Sequence, residues 1–181
     1  MVFALEEDAR RVLGVLPKRL GKYGLSLHPE KTRLVLFRPS CKGLDRAQRS
    51  DSFTFLGFTH HWYRSFKGRW VVKRRTAKDR FRRALKEISR WCHVNRRRSV
   101  PEQQKMLASK LRGHAQYYGI TGNGNTLSRF FQEVLRVWRT WLNRRSQRAR
   151  LNWERFTRLL QHYPLPSPVV VHSVYRGAAN P

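Results

Sequence analysis

The chain has 181 residues and carries 39 Lys or Arg against 11 Asp or Glu, a formal net charge of +28. A content of 40% hydrophobic residues suffices for one core or two small lobes, and the charge points to a polyanion partner, RNA or DNA. No apolar run is long enough to span a bilayer and residues 1–8 are acidic, which excludes a secretory signal; a soluble, intracellular, cytoplasmic chain with no membrane partner is expected.

The charge is uneven, because residues 1–52 hold eleven bases and six acids whereas residues 53–181 hold twenty-eight and five. The partner-facing part is therefore C-terminal. Arg outnumbers Lys by 29 to 10, and the planar guanidinium fork suits phosphate and base contacts better than a point charge does. Cys41 and Cys92 have no metal-ligand spacing and make no disulfide framework.

In chain order, residues 6–24 read as an amphipathic helix with Ala9, Val12, Leu13, Leu16 and Leu20 on one side, kinked or shortened at Pro17 and ending near Gly21 or Gly24. Residues 25–28 and 32–37 read as strands around a His-Pro-Glu-Lys turn, and 38–52 as a polar loop. Further strands are predicted at 53–58 and 69–73, with a hairpin connection at 65–68.

From Thr76 the period becomes helical. Thr76/Asp79 and Ser99/Glu102 fit the capping box that opens a helix. The first bundle helix turns Phe81, Leu85, Ile88 and Cys92 inward and Lys78, Arg82, Arg83, Lys86 and Arg90 outward. A second helix over 101–119 carries Leu107, Leu111, Ala115 and Tyr118; after a Gly/Asn break at 121–125, a third carries Leu127, Phe131, Val134, Trp138 and Trp141. A shorter fourth carries Phe156, Leu159 and Leu160, and the Pro-rich tail from 164 is extended.

The fold class is α+β: a small strand-containing piece over 1–75, an all-helical bundle over 76–162, and an extended tail over 163–181. Between Arg64 and Arg98 fifteen cations face two acids. Lys73, Arg74 and Arg75 lead into the cationic helix face, which is a candidate phosphate-binding surface. Two further clusters, Arg96, Arg97 and Arg98, and Arg144, Arg145, Arg148 and Arg150, sit at predicted inter-helix turns, where each alone is an ordinary charged loop and their weight is cumulative. Tyr117 lies off its helix's apolar stripe and is a candidate stacking residue, whereas Tyr118, Trp138 and Trp141 read as core. His60, His61, His114 and Glu102 make no metal-ligand set.

Three segments occur in a telling order: Gly24-Leu-Ser-Leu-His-Pro-Glu-Lys-Thr32, Phe55-Leu-Gly-Phe58, and Arg112-Gly-His-Ala-Gln-Tyr-Tyr-Gly119. Together they resemble the C-terminal part of a group II intron-encoded reverse transcriptase/maturase, and the later Arg144-Arg-Ser-Gln-Arg148 and Trp153-Glu-Arg155 segments are similar to the same region. The resemblance implies that 1–75 is the end of a polymerase palm and 76–162 the thumb, or maturase-specific, domain. It also implies structured RNA as partner, above all a group II intron whose splicing the protein assists, with Arg112 among the RNA contacts. It further places Leu56, Gly57 and Phe58 at a primer-grip-like turn, and Lys31 at a position near the departing pyrophosphate in relatives. The family's Tyr-Ala-Asp-Asp hairpin, whose acids hold the Mg2+ ions of phosphoryl transfer, is absent from this sequence, so no catalytic residue and no cofactor are expected in this chain itself. Two alternatives stay open: a thumb subunit of a split RNA-directed DNA polymerase whose palm and fingers come from an upstream polypeptide, and a degenerate, non-functional fragment.

Overall fold

The computed structural model describes residues 1–39, 52–145 and 151–173. Cys41, Arg148, Arg150, nearly all of the 38–52 loop and the end of the tail lie outside the described residues. By contact the chain forms two compact units, Met1–Phe53 and Thr54–Pro181. The division falls between residues 53 and 54 instead of 75 and 76, so the hairpin groups with the helices.

In the first unit, α1 spans Glu6–Gly21 with three acids in its first turn and Lys18 and Arg19 in its last, a polarity that complements the helix dipole. Pro17 lies within it and does not end it. Closure comes from a Schellman motif: the Leu25 amide donates to the Leu20 carbonyl at 3.1 Å, the Gly24 amide to the Gly21 carbonyl at 3.1 Å, and Gly24 takes φ +69°. Both glycines that the sequence offered as endpoints are thus used. Only Ala9 of α1 is buried.

The strands predicted at 25–28 and 32–37 do not form; this stretch holds only a turn in which the His28 carbonyl accepts from the Lys31 and Thr32 amides. Apolar alternation makes a strand only where ladder hydrogen bonds are completed, and the 25–37 stretch takes no place in the three-stranded sheet.

A three-stranded sheet in the order β1-β2-β3 is formed by Ser52–Phe55, Phe58–Arg64 and Trp70–Thr76, and the division between the units falls within β1. The single strand predicted at 53–58 is broken at Leu56 and Gly57, whose φ values of 47° and 77° make the paired left-handed conformation of a two-residue hairpin turn. Strands β2 and β3 are antiparallel, from Phe58 opposite Thr76 to Arg64 opposite Trp70. Their connection at 65–68 forms as the sequence indicates. Strand β3 continues to Thr76, beyond the expected end at Lys73.

Four helices follow: α2 Lys78–Val94, α3 Val100–Tyr118, α4 Gly124–Asn143 and α5 Trp153–His162. Ser99 and Glu102 make the expected capping box at the start of α3. Thr76 and Asp79 do not, because α2 starts after Ala77 with no side-chain cap. The hydroxyl of Thr76 accepts instead from Asn123 Nδ2 at 2.8 Å.

The core gathers Ile88 and Cys92 of α2, Leu107 and Leu111 of α3, Phe130, Val134 and Trp138 of α4, and Phe156 of α5. Phe81 and Leu85 are only half-buried at its margin. The tail is extended but not free: Leu165 is buried, and His172 pairs in parallel with Ile120, its amide donating to the Gly119 carbonyl at 2.8 Å. This strap passes so close to Gly119 that a Cβ there would lie 2.9 Å from the Val169 carbonyl oxygen and 3.0 Å from the Val171 nitrogen. No helix among the described residues is long and apolar enough to cross a membrane.

Candidate nucleic-acid interface

Asn123 joins the sheet to the helices. Fully buried, its side chain accepts from the Thr76 amide at 2.9 Å and donates to the Thr76 hydroxyl and to the Tyr118 carbonyl, both at 2.8 Å. Both N–H donors and the carbonyl oxygen are engaged in a place that water does not reach. The Leu56-Gly57 turn is fastened nearby, with the Gly57 carbonyl accepting from the Ala77 amide at 2.9 Å and the Leu56 carbonyl from the Tyr117 hydroxyl at 3.0 Å. A Cβ at Gly57 would meet Tyr118 Oη at 3.2 Å, so the turn needs glycine for both its φ and its close approach. Phe58 stacks on Tyr117 with 5.9 Å between ring centres. Tyr117 is therefore an exposed ring whose hydroxyl is already engaged by the Leu56-Gly57 turn.

This anchorage sets where α2 begins, and the helix then displays Lys78, Arg82, Arg83, Lys86 and Arg90, all exposed. Asp79 lies 3.6 Å from Arg80, and the other ion pairs among the described residues join Arg10 to Glu6, Arg136 to Glu133 and Arg158 to Glu154. None of the five α2 cations has a carboxylate partner among the described residues. Exposed and unpaired, they keep their full field for a ligand. Of the preceding strand residues, Arg74 and Arg75 are exposed, and Lys73 is half-buried with its ammonium 3.4 Å from the centre of the Tyr63 ring.

The turn after α2 is organised from below by Gln103. Its Nε2 lies 2.8 Å from the Asn95 carbonyl and 3.3 Å from those of Arg96 and Arg98, and its Oε1 accepts from the Trp138 indole. Arg96 folds back on the His93 carbonyl at 3.0 Å, while Arg97 and Arg98 are exposed. The Arg145 guanidinium donates to the Arg98 carbonyl, which brings the end of α4 against this turn. Two clusters that are 46 residues or more apart in sequence therefore share one end of the bundle.

Trp141 ties that end to the cationic face of α2. Its indole donates to Ser89 Oγ at 3.1 Å, its ring lies 4.5 Å from that of His93, and the Arg144 guanidinium sits 4.9 Å above it. Lys86 and Arg90 flank Ser89 and His93 on the same helix, so the α2 face, the 96–98 turn and Arg144/Arg145 make one continuous basic surface. Arg112 is exposed on α3, outside these contacts.

Trp138 is buried and Trp141 and Tyr118 are half-buried. His114 lies flat against Phe130 with ring centres 3.8 Å apart, and burial pulls its pKa down to about 4. Burial, reinforced by Arg75 and Lys73, lowers His61 as well, and burial raises the Cys92 thiol to about 12. Among the described residues no three His, Cys, Asp or Glu come together as metal ligands.

Gln103 and Asn123 were not among the residues the sequence singled out. Their only signal was an amide at the foot of an apolar stripe and another inside a Gly/Asn turn. Comparison with protein families, with characterised proteins and with solved structures finds no match to this chain.

Proposed function

We propose that this chain binds structured RNA through the surface running from the cationic face of α2, across the 96–98 turn, to Arg144 and Arg145. The observation that carries the reading is the junction of these clusters through Arg145, Arg98 and Trp141, which turns separate basic runs into one surface without carboxylate partners among the described residues. Folded RNA presents phosphates at close spacing along such a surface, and each neutralised phosphate releases counterions.

The order of the three motifs supports a narrower form of the proposal, in which the chain is the C-terminal part of a group II intron-encoded reverse transcriptase/maturase. Binding would then steady the folded intron in the cytoplasm and promote splicing, with the RNA performing its own chemistry. The chain supplies no polymerase acids to this process, and Mg2+ enters only with the RNA or with a catalytic palm.

A second reading, the thumb of a split polymerase, is favoured by α1, which buries Ala9 alone and leaves Leu13 and Val15 exposed. A palm-bearing polypeptide would cover such a helix. Co-purification with that polypeptide, giving primer extension that neither part shows alone, would select this reading over the first.

The test of RNA binding is a salt titration with a folded RNA. Replacing Arg82, Lys86 and Arg90 together by Gln is expected to weaken binding and to flatten the log–log salt slope by up to about three. A slope unchanged from the parent chain would remove α2 from the interface.

A further inference from the structure

Residues 52–78 contain seven Lys or Arg and no Asp or Glu. This carboxylate-free stretch forms the sheet, and its aromatic residues are not all turned inward. Tyr63 and Trp70 are 42% and 44% exposed, and Phe66, at the connection between β2 and β3, is fully exposed.

The connection is well fixed for a hairpin tip. The Ser65 amide donates to the Arg69 carbonyl at 2.8 Å, the Gly68 amide to the Ser65 carbonyl at 2.9 Å, and the Arg69 amide to Ser65 Oγ at 3.1 Å. Arg64 Nε closes the turn from outside by donating to the Gly68 carbonyl at 3.2 Å, and Gly68 takes φ +72°. Phe66 is thus presented on a closed turn between Arg64, Lys67 and Arg69. Trp70 stands opposite Arg64 in the register.

We infer that the β2–β3 tip, Phe66 together with Trp70, is a stacking site for unpaired RNA bases. The inference rests on the RNA reading and names what that reading leaves open, the kind of RNA feature bound. Phosphates need only cations, which α2 and the 96–98 turn already supply. Ring faces beside guanidinium groups add affinity only where a base has left its helix and can be stacked. An anionic lipid surface is the other partner that aromatic and basic residues suit. RNA is favoured because the basic run is unbroken along the chain: no acid intervenes from the tip through Arg74 and Arg75 of β3 to Lys78, where the α2 face begins.

The experiment compares the full chain with Phe66→Ala, Phe66→Tyr and Trp70→Ala for binding to a single-stranded RNA, to a blunt RNA duplex of equal length, and to phosphatidylserine vesicles. Phe66→Ala is expected to weaken single-strand binding about tenfold, with duplex binding within about twofold of the parent, and Phe66→Tyr to restore the loss. A loss equal for strand and duplex, no loss for either, or a loss confined to vesicles would overturn the inference and leave α2-based RNA binding standing. Failure of the parent chain to bind any of the RNAs would overturn both. Circular dichroism identical to the parent is expected for Phe66→Ala, since its ring has no packing to lose; Phe66→Tyr behaving like Phe66→Ala despite an intact fold would also count against stacking.

Discussion

The indole N–H of Trp138 donates to Oε1 of Gln103 at 2.9 Å, and both side chains are fully buried. The other end of the same amide holds the carbonyls of the turn that presents Arg97 and Arg98. A single neutral side chain thereby satisfies the core's indole and shapes a basic loop.

Replacing Gln103 by Leu keeps the volume but leaves the Trp138 donor buried without a partner. Such a group costs roughly 1–3 kcal/mol, and urea unfolding should report that loss as a lower midpoint with an unchanged slope. The 96–98 turn should also loosen, seen as faster amide exchange at residues 96–98. A variant as stable as the parent would show that the indole finds another acceptor.

Gly119 is expected to tolerate no side chain. An Ala Cβ would clash first with the Ala115 carbonyl oxygen of α3, and would also press on the Val169 carbonyl at 2.9 Å and the Val171 nitrogen at 3.0 Å, backbone atoms of the strap. Gly119→Ala should cost about 1–3 kcal/mol and make residues 164–173 the first site of limited proteolysis. Protection equal to the parent's would mean that the strap adjusts around the methyl group.

Acid should destabilise the fold through His114. Burial against Phe130 lowers its pKa from 6.5 to about 4, so the unfolded chain takes up a proton at a higher pH than the folded one does. Above pH 6.5 both states are neutral and the group contributes nothing; stability is lost as pH falls from about 6.5 to about 4 and levels off below. His114→Phe should flatten unfolding free energy across that window, and denaturant titrations at several pH values would measure it. An unchanged pH profile would assign the acid sensitivity elsewhere.

Local chemistry was legible in the sequence where its partners are local. The Ser99/Glu102 box formed because donor and acceptor lie three residues apart at a helix start. An equally good pattern at Thr76 failed because Asn123, 47 residues later, captured both the hydroxyl and the amide. The β2–β3 hairpin was readable from its turn, whereas the apolar alternation at 25–37 stayed outside the sheet. The basic runs were visible as composition. Their union was not, since it depends on Arg145 reaching the Arg98 carbonyl and on Trp141 bridging Ser89, His93 and Arg144.

The parallel pairing of Ile120 with His172 encloses α4 and α5 within one loop closed by backbone hydrogen bonds. During translation, the Gly119 carbonyl and the Thr121 amide must wait for His172 to leave the ribosome before they meet their partners. A nascent product halted before His172 would therefore carry its helices unlatched.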